Sequence, residues 1–286
     1  MGENGSTGGV PLSAGTNEND GMKPIPIAIV GECTGLPVRQ ALLAAARAGA
    51  NGVQFDAGGE LNPPALGETA RRELRVLFRS YDLQLAALNV PLRRGLDSAE
   101  HQQQRIEHVR NAMRLACDLG ARRVVVPMPK LPTEATEPRA NLLRDALDAL
   151  AAFGDKTGCA VAPELGYDPA DKVAAYFATF DRGSLKATFD PANFLLHGHD
   201  PLAQLTPLAG KLAHVLARDA RSAGVSRGLE EVALGAGDLD WMALTATLQV
   251  LEFDGFLTVK REQGENKLAD VTNGVAFLKR FAVPLG

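Results

Sequence analysis

Short apolar runs that alternate with longer amphipathic segments are the feature that most constrains the fold of this chain. Eight runs, each ending in Gly, Pro or a polar residue, have the length of buried β-strands: Ile25–Val30, Gly52–Phe55, Leu83–Leu88, Arg123–Val126, Cys159–Ala162, Leu185–Phe189, Leu212–Ala217 and Phe256–Val259. Segments of helical periodicity follow them: Pro37–Ala50, Leu66–Tyr81, Ala99–Leu119, Pro138–Thr157, Pro169–Thr179, Pro201–Leu208, Trp241–Leu251 and Leu268–Phe281. Strict alternation of strand and helix, eight times, predicts a single (β/α)8 TIM barrel.

The ends of the chain set the extent of this barrel. Residues 1–21 are rich in Gly, Ser, Asn, Thr and acidic residues and contain no apolar segment, which predicts a disordered N-terminal tail and argues against a secretory signal. Residues 22–286 then form the barrel, close to the length of about 250 residues that is typical of this fold.

Composition narrows the class of protein. With 286 residues, 45% of them hydrophobic, and a net charge of -4, the chain is expected to be globular, with neither a nucleic acid nor a membrane as partner. No apolar run approaches the roughly 18 residues that span a bilayer. Cys33, Cys117 and Cys159 are widely spaced and odd in number, which favours reduced thiols and a cytoplasmic protein.

The loops are unequal in length. Those before strands are short, whereas those after strands are long and rich in Pro, Gly and polar residues, as in Asn89–Gly95, Pro127–Pro132 and Asp219–Asp240. Because all parallel strands end at one side of a barrel, this asymmetry predicts a site at the C-terminal ends of the strands, here called the mouth.

Polar side chains stand at these strand ends and should converge at the mouth: Glu32, Gln54, Asp56, Asn89, Arg93, Lys130, Glu164, Asp190, Asn193, His214, Arg218, Asp219, Lys260 and Glu262. If Glu164 and Asp190 both point inward, either a metal ion or the ammonium of Lys260 must compensate two buried carboxylates. Arg93 and Arg218 could grip a substrate anion, or could pair with Asp56 and Asp219 respectively. His214 is either a proton donor or a packing residue.

Six segments, in order, carry a family resemblance: Asn51–Asp56, Glu164, Phe189–Asn193, His214–Asp219, Leu234–Trp241 and Gly255–Glu262. Together they resemble the xylose isomerase-like TIM-barrel superfamily of sugar-phosphate isomerases and epimerases. The resemblance covers residues 22–286. It implies a small carbohydrate as substrate and an enzyme that moves a proton at the carbon beside a sugar carbonyl.

The resemblance also implies a divalent ion (Mn, Mg, Co or Zn) held by four strand-end ligands. Glu164 and Asp190 match two of them, but Leu216 and Lys260 stand where the family has a histidine and a glutamate. A lysine at a ligand position repels a divalent ion and itself neutralises the carboxylates, so the usual metal site is expected to be absent or weak.

Substitute ligands would rebuild a displaced metal site. The candidates are His197, His199, His214 and Glu262, since neutral imidazoles suit transition metals.

The leading hypothesis is therefore a sugar, sugar-phosphate or keto-sugar isomerase or epimerase with Glu164 as base. Lys260 would polarise the carbonyl, or shuttle the proton if its pKa is lowered. The residues assigned to substrate binding are Gln54, Asp56, Arg93, Asn193, His214, Arg218 and Glu262. The alternatives are a keto-sugar lyase, a catalytically silent barrel that binds a sugar or a protein, and an abasic-site endonuclease, for which the ligand supply and the charge are unfavourable. Barrels of this kind commonly form homo-oligomers.

Overall fold

Eight parallel strands close into a barrel in the computed structural model, which describes residues 1–2, 23–223 and 228–282. In chain order, the strands of the barrel and of one hairpin are β1 (Ile27–Val30), β2 (Gly52–Asp56), β3 (Gln84–Asn89), β4 (Arg123–Pro127), β5 (Ala160–Glu164), β6 (Ala187–Phe189), β7 (Leu212–Ala217), β8 (Asp219–Ser222), β9 (Leu229–Val232) and β10 (Leu257–Val259). Their order around the barrel is β1-β10-β7-β6-β5-β4-β3-β2, while β8 and β9 form a separate antiparallel hairpin. The predicted (β/α)8 barrel is confirmed. The predicted tail falls almost wholly on residues 3–22, outside the described residues.

Helices connect the strands on the outside of the barrel. They are α1 (Val38–Ala48), α2 (Glu68–Ser80), α3 (Gln102–Asp118), α4 (Pro138–Thr157), α5 (Ala170–Phe177), α6 (Pro191–Leu196), α7 (Trp241–Val250) and α8 (Lys267–Leu278). None of the described helices combines the length and the apolar character needed to cross a lipid bilayer.

The sixth helix is not the one that the sequence predicted. The segment Pro201–Leu208 contains only turns and a 3-10 helix at Thr206–Leu208, and the helix is instead α6. Its start is fixed by Asp190, whose Oδ1 accepts a hydrogen bond from the Asn193 amide at 3.0 Å, and by Pro191 in the first turn, where no N–H is needed. Pro191 is therefore the first residue of α6.

The β8–β9 hairpin is the second difference from the sequence prediction, which gives Asp219–Asp240 as a long loop. Its register pairs Arg221 with Glu230, and the Nε of Arg221 lies 2.8 Å from Oε1 of Glu230. Cross-strand pairs of opposite charge of this kind stabilise short hairpins. The hairpin places β9 over the mouth.

Strand alternation decides which side chains enter the barrel. Phe55 points outward and packs edge-on against Phe78 of α2, with ring centroids 6.3 Å apart. Its neighbours Gln54 and Asp56 consequently point inward, because successive side chains of a strand face opposite sides. On β7 the same rule puts His214 and Leu216 on the inside, and His214 contacts Gln54 there.

Candidate active site

Two carboxylates stand side by side at the mouth because their strands are neighbours. Glu164 ends β5 and pairs in register with Thr188 of β6, while Asp190 follows two residues after Thr188 on the same face. Asp190 is fully buried, and the side chain of Glu164 keeps 17% of its surface exposed. Burial raises the pKa of Glu164; the charge of Lys260 opposes this shift and that of Asp190 adds to it.

The ammonium of Lys260 lies beside Glu164 and a third carboxylate, Glu262. Its Nζ lies 2.8 Å from Oε1 of Glu262 and 3.4 Å from Oε1 of Glu164. Burial alone would lower the pKa of Lys260, but Glu164, Asp190 and Glu262 raise it overall. Lys260 is therefore a fixed cation, and the lowered pKa that proton shuttling requires is not found.

Arg218 is the second cation of the site. Its Nη1 lies 2.9 Å from Oδ2 of Asp190, and its Nη2 lies 3.5 Å from Oε2 of Glu262 and 3.8 Å from Oε2 of Glu231. The side chain is only 5% exposed. Burial opposes the charged form, yet the surrounding carboxylates raise the pKa of Arg218 overall. A guanidinium held by three carboxylates is not available to grip a substrate anion.

The predicted alternative pair of Arg218 with Asp219 is wrong: Arg218 lies between β7 and β8 and pairs with Asp190, whereas Asp219 begins β8. Asp219 instead accepts hydrogen bonds from the Gly235 and Gly237 amides at 2.9 and 3.3 Å and from Nε1 of Trp241 at 3.2 Å. It thereby fixes the glycine-rich turn that leads into α7. Asp219 is a structural residue of the loop, whereas Arg218 belongs to the mouth.

Asn193 contacts both Glu164 and Arg218. Its Nδ2 donates to Oε1 of Glu164 at 3.0 Å, and its Oδ1 accepts from Nη1 of Arg218 at 3.2 Å. Gly166 packs so closely that a Cβ at this position would lie 2.4 Å from Cβ of Asn193. Among the described residues no hydrogen bond engages Oε2 of Glu164.

Gln54 and His214 lie deeper in the barrel than the strand-end carboxylates. Nε2 of His214 lies 2.7 Å from Oε1 of Gln54, and both residues are buried, at 0% and 2% exposure. Burial, followed by the charge of Arg123, holds the pKa of His214 well below its usual value of 6.5. The pair is a neutral hydrogen bond inside the barrel, which favours the packing role for His214 over that of a proton donor.

On the opposite side of the mouth, Asp56 accepts a hydrogen bond from Nδ2 of Asn89 at 2.7 Å, and the Asp56 amide donates to Oε1 of Glu32 at 2.7 Å. Burial, with a contribution from Asp56, raises the pKa of Glu32 to about 7. Arg93 is exposed and forms no ion pair with Asp56 in the part of the chain that the structure describes. The expected Arg93–Asp56 pair is thus not formed.

Sequence reasoning missed Glu231 because it missed the hairpin that carries it. Glu231 lies on β9, its side chain is 3% exposed, and its Oε1 accepts from the Glu262 amide at 2.8 Å and lies 3.5 Å from Nη1 of Arg261. The segment Leu229–Val232 is short and alternates only weakly, so the sequence does not indicate that Glu231 contacts a residue 31 positions away.

The residues at the family's metal position do not fit a divalent ion. Both oxygens of Asp190 are engaged, one by the Asn193 amide and one by Arg218. Leu216 is fully buried and apolar, and the ammonium of Lys260 stands where a ligand carboxylate is needed. Such a set lacks the donors that a metal ion requires.

The substitute ligands are not brought together either. His197 and His199 are exposed at the far end of α6, where Nδ1 of His197 lies 2.7 Å from the Asn193 carbonyl and Nε2 of His199 lies 3.4 Å from the Tyr167 carbonyl. Across the described residues, no group of three or more His, Cys, Asp or Glu is arranged to hold an ion. His197 and His199 therefore do not rebuild the site.

A family model described as xylose isomerase-like TIM barrel matches residues 42–281. None of the curated proteins matches the chain. Among solved structures, a xylose isomerase domain protein from Planctomyces limnophilus is 22% identical with a TM-score of 0.79, covering 91% of this chain and 98% of that chain.

Two further structures are sugar epimerases. A D-allulose 3-epimerase from Methylomonas sp. in complex with D-allulose is 16% identical with a TM-score of 0.72, covering 91% of this chain and 98% of that chain. A D-psicose 3-epimerase with D-tagatose from Clostridium cellulolyticum H10 is 10% identical with a TM-score of 0.73, covering 91% of this chain and all (100%) of that chain. At these identities the likeness establishes the fold.

Proposed function

Since the chain belongs to the xylose isomerase-like TIM barrel family, we propose that it is a sugar isomerase or epimerase that moves a proton beside a carbonyl without a resident divalent ion. The observation that carries this proposal is the pairing of Glu164 with Lys260 at 3.4 Å in a partly buried mouth. The sugar ligands of the neighbouring epimerase structures support a small neutral carbohydrate as the substrate class.

Glu164 is the base in this scheme. Its Oε1 is held by Asn193 and Lys260, which leaves Oε2 to act on the substrate carbon. Burial raises the pKa of Glu164, which makes its carboxylate a stronger base than an exposed one. Proton abstraction leaves Glu164 neutral, and this change relieves its repulsion with Asp190.

Lys260 is the electrophile. As the proton leaves carbon, negative charge develops on the carbonyl oxygen, and a preorganised cation in a dry site stabilises that charge most strongly. Return of the proton by Glu164 to the former carbonyl carbon gives an isomer, provided that the proton of the neighbouring hydroxyl moves to the former carbonyl oxygen. Epimerisation requires a second acid on the other face, and Glu262 does not meet this requirement: although burial opposes the shift, Lys260 at 2.8 Å and Arg218 lower its pKa overall and favour the carboxylate.

The test is solvent deuterium exchange followed by NMR. Chelator-treated protein is incubated in D2O with D-fructose, D-allulose, D-tagatose and L-ribulose, and incorporation of deuterium beside the carbonyl is measured. We expect exchange with at least one ketose, loss of about 100-fold or more in Glu164→Gln and Lys260→Met, and an unchanged rate in Lys130→Met, which removes an exposed lysine of another strand-end loop. Exchange that appears only after a metal salt is added contradicts the metal-free scheme.

A catalytically silent carbohydrate-binding barrel is the second candidate. The observation that favours it is that Arg218 and Lys260 already form ion pairs with Asp190 and Glu164 without a ligand. A ketose that binds in calorimetry but exchanges no deuterium supports this alternative. A keto-sugar lyase begins with the same proton abstraction, and in the same NMR spectra it would be recognised by loss of a hydroxyl.

A further inference from the structure

A second cavity opens at the floor of the barrel, the end at which the strands begin. It has a volume of about 370 Å³ and is bordered by the first residues of β4, β5 and β7. Three cations line it, Arg122, Arg123 and Lys186, together with Glu252 and Asp254 from the turn before β10. The floor lies a strand's length, on the order of 13 Å, from the carboxylates of the mouth. It is therefore separate from the proposed active site.

The deepest of these cations is Arg123. Its guanidinium leaves β4 and donates from Nη1 to the carbonyl of Ala213 on β7, so that the side chain crosses beneath β5 and β6. Lys186 is anchored in the same way, since its Nζ donates to the Gly210 carbonyl at 3.0 Å. A carbonyl positions a cation without neutralising it, because the carbonyl carries no net charge.

Carboxylates do not neutralise these cations either. Within the described ranges, none of Arg122, Arg123 and Lys186 lies within 4.0 Å of a carboxylate oxygen. Burial lowers the pKa of Arg123 from its usual value, and the charge of Asp254 only partly opposes this. A half-buried guanidinium without a paired carboxylate is partly desolvated, and a bound anion would compensate its charge.

We propose that this floor cavity binds a small anion, namely phosphate, either as the inorganic ion or as the phosphate group of a small metabolite. The fork of a guanidinium matches phosphate oxygens, and a lysine adds a point charge beside it. Glu252 and Asp254 restrict the rim, which disfavours extended polyanions and selects a compact dianion. The carbonyl anchors of Arg123 and Lys186 hold both cations in place before the anion arrives.

The experiment is isothermal titration calorimetry of the whole chain at constant ionic strength and pH 7.5, with inorganic phosphate, glucose 6-phosphate and glucose as separate titrants. We expect saturable binding of one phosphate-bearing titrant per chain and none of glucose. Preference between the two phosphates identifies the source of the anion. Absence of saturable binding of both, up to about 10 mM, overturns the proposal.

Variants assign the binding to the floor. Arg122→Gln and Lys186→Gln should each weaken phosphate by about tenfold, whereas Asp254→Asn, which removes a rim carboxylate, should tighten it about threefold. Lys156→Gln is the matched control, since it removes an exposed lysine near the C-terminus of α4, and its affinity should equal that of the wild type. Equal affinities for Lys186→Gln, Arg122→Gln and the control would place the anion elsewhere and refute the site.

Discussion

Replacing Arg218 with methionine should destabilise the fold strongly, because among the described residues this side chain supplies the positive charge that pairs with the buried carboxylate of Asp190. Nη1 of Arg218 lies 2.9 Å from Oδ2 of Asp190, and the two side chains are 5% and 0% exposed. Removing one partner of a buried ion pair typically costs about 3–5 kcal/mol, since the other charge is left uncompensated. Asp190 keeps its hydrogen bond from the Asn193 amide. We therefore expect a loss of about 3 kcal/mol in the free energy of unfolding, at the lower end of that range.

The assay is urea denaturation followed by fluorescence of Trp241. The chain contains one tryptophan, and Trp241 is 2% exposed, so its emission reports directly on unfolding of the barrel. The double variant Arg218→Met with Asp190→Asn removes the orphaned carboxylate while its Oδ1 still caps α6. It should recover at least half of the loss, because the cost arises mainly from an unpaired buried charge.

Arg221→Met is the matched control. Arg221 also pairs with a glutamate, at 2.8 Å from Glu230, but the two side chains are 51% and 44% exposed. Exposed pairs contribute little, so the control should change the stability by no more than about 0.5 kcal/mol. If Arg218→Met and Arg221→Met cost the same, or if the double variant is less stable than Arg218→Met alone, the buried-charge argument is refuted.

Three further predictions concern charge and protonation. Lys260→Glu should retain about one Mn or Co ion per chain after dialysis while the wild type retains none, as measured by elemental analysis; an ion in the wild type would contradict the lysine argument. Because burial beside Asp56 raises the pKa of Glu32 from 4.5 to about 7, the native state binds the proton more tightly than the unfolded state, and stability falls as pH rises through this interval. Glu32→Gln should therefore be more stable than the wild type at pH 8. The gain should be no more than about 1 kcal/mol, because the residue as a whole is exposed to solvent although its carboxyl group is partly desolvated. The two proteins should be equally stable near pH 4 in urea titrations. The pKa of His214 is lowered below 6.5, so the unfolded state takes up its proton first and stability is lost as pH falls below that value. His214→Gln, which can still bond Gln54, should flatten this loss between about pH 6.5 and 5, and an unchanged pH profile would contradict the assignment.

The barrel itself could be predicted from the sequence because strand and helix periodicities persist over the whole chain. The two errors concern short elements whose existence depends on tertiary contacts. The helix α6 has six residues and is fixed by the Asp190 cap, and the β8–β9 hairpin is fixed by Arg221–Glu230 and by contacts of Glu231 with the mouth. Neither has enough periodic residues to reveal itself in the sequence.

The candidate site was predictable to a similar depth. The order of the strands and the alternation of their side chains bring Glu164 and Lys260 together at the mouth, but they do not indicate that Asp219 begins a hairpin instead of pairing with Arg218. The sequence does not indicate which side chains of different strands come within contact distance inside the barrel. The choice of Asp190 as the partner of Arg218 depends on the register of β6 against β7, which shifts between Ala187 and Thr188. The pKa of Lys260 likewise depends on how many carboxylates surround it, and its direction was therefore open until the structure was known.

Lys260 and Arg218 together carry the charge of one divalent ion, but they divide it between two positions. A bound metal polarises a carbonyl and can accept several oxygens at once. The ammonium of Lys260 has three N–H donors, and Glu262 at 2.8 Å and Glu164 at 3.4 Å take two of them. One donor remains, so Lys260 can contact a single substrate oxygen, while both Nη atoms of Arg218 face carboxylates of the protein. In the proposed enzyme, orientation of the sugar must consequently come from hydrogen bonds between its hydroxyls and the carboxylates of the mouth rather than from chelation.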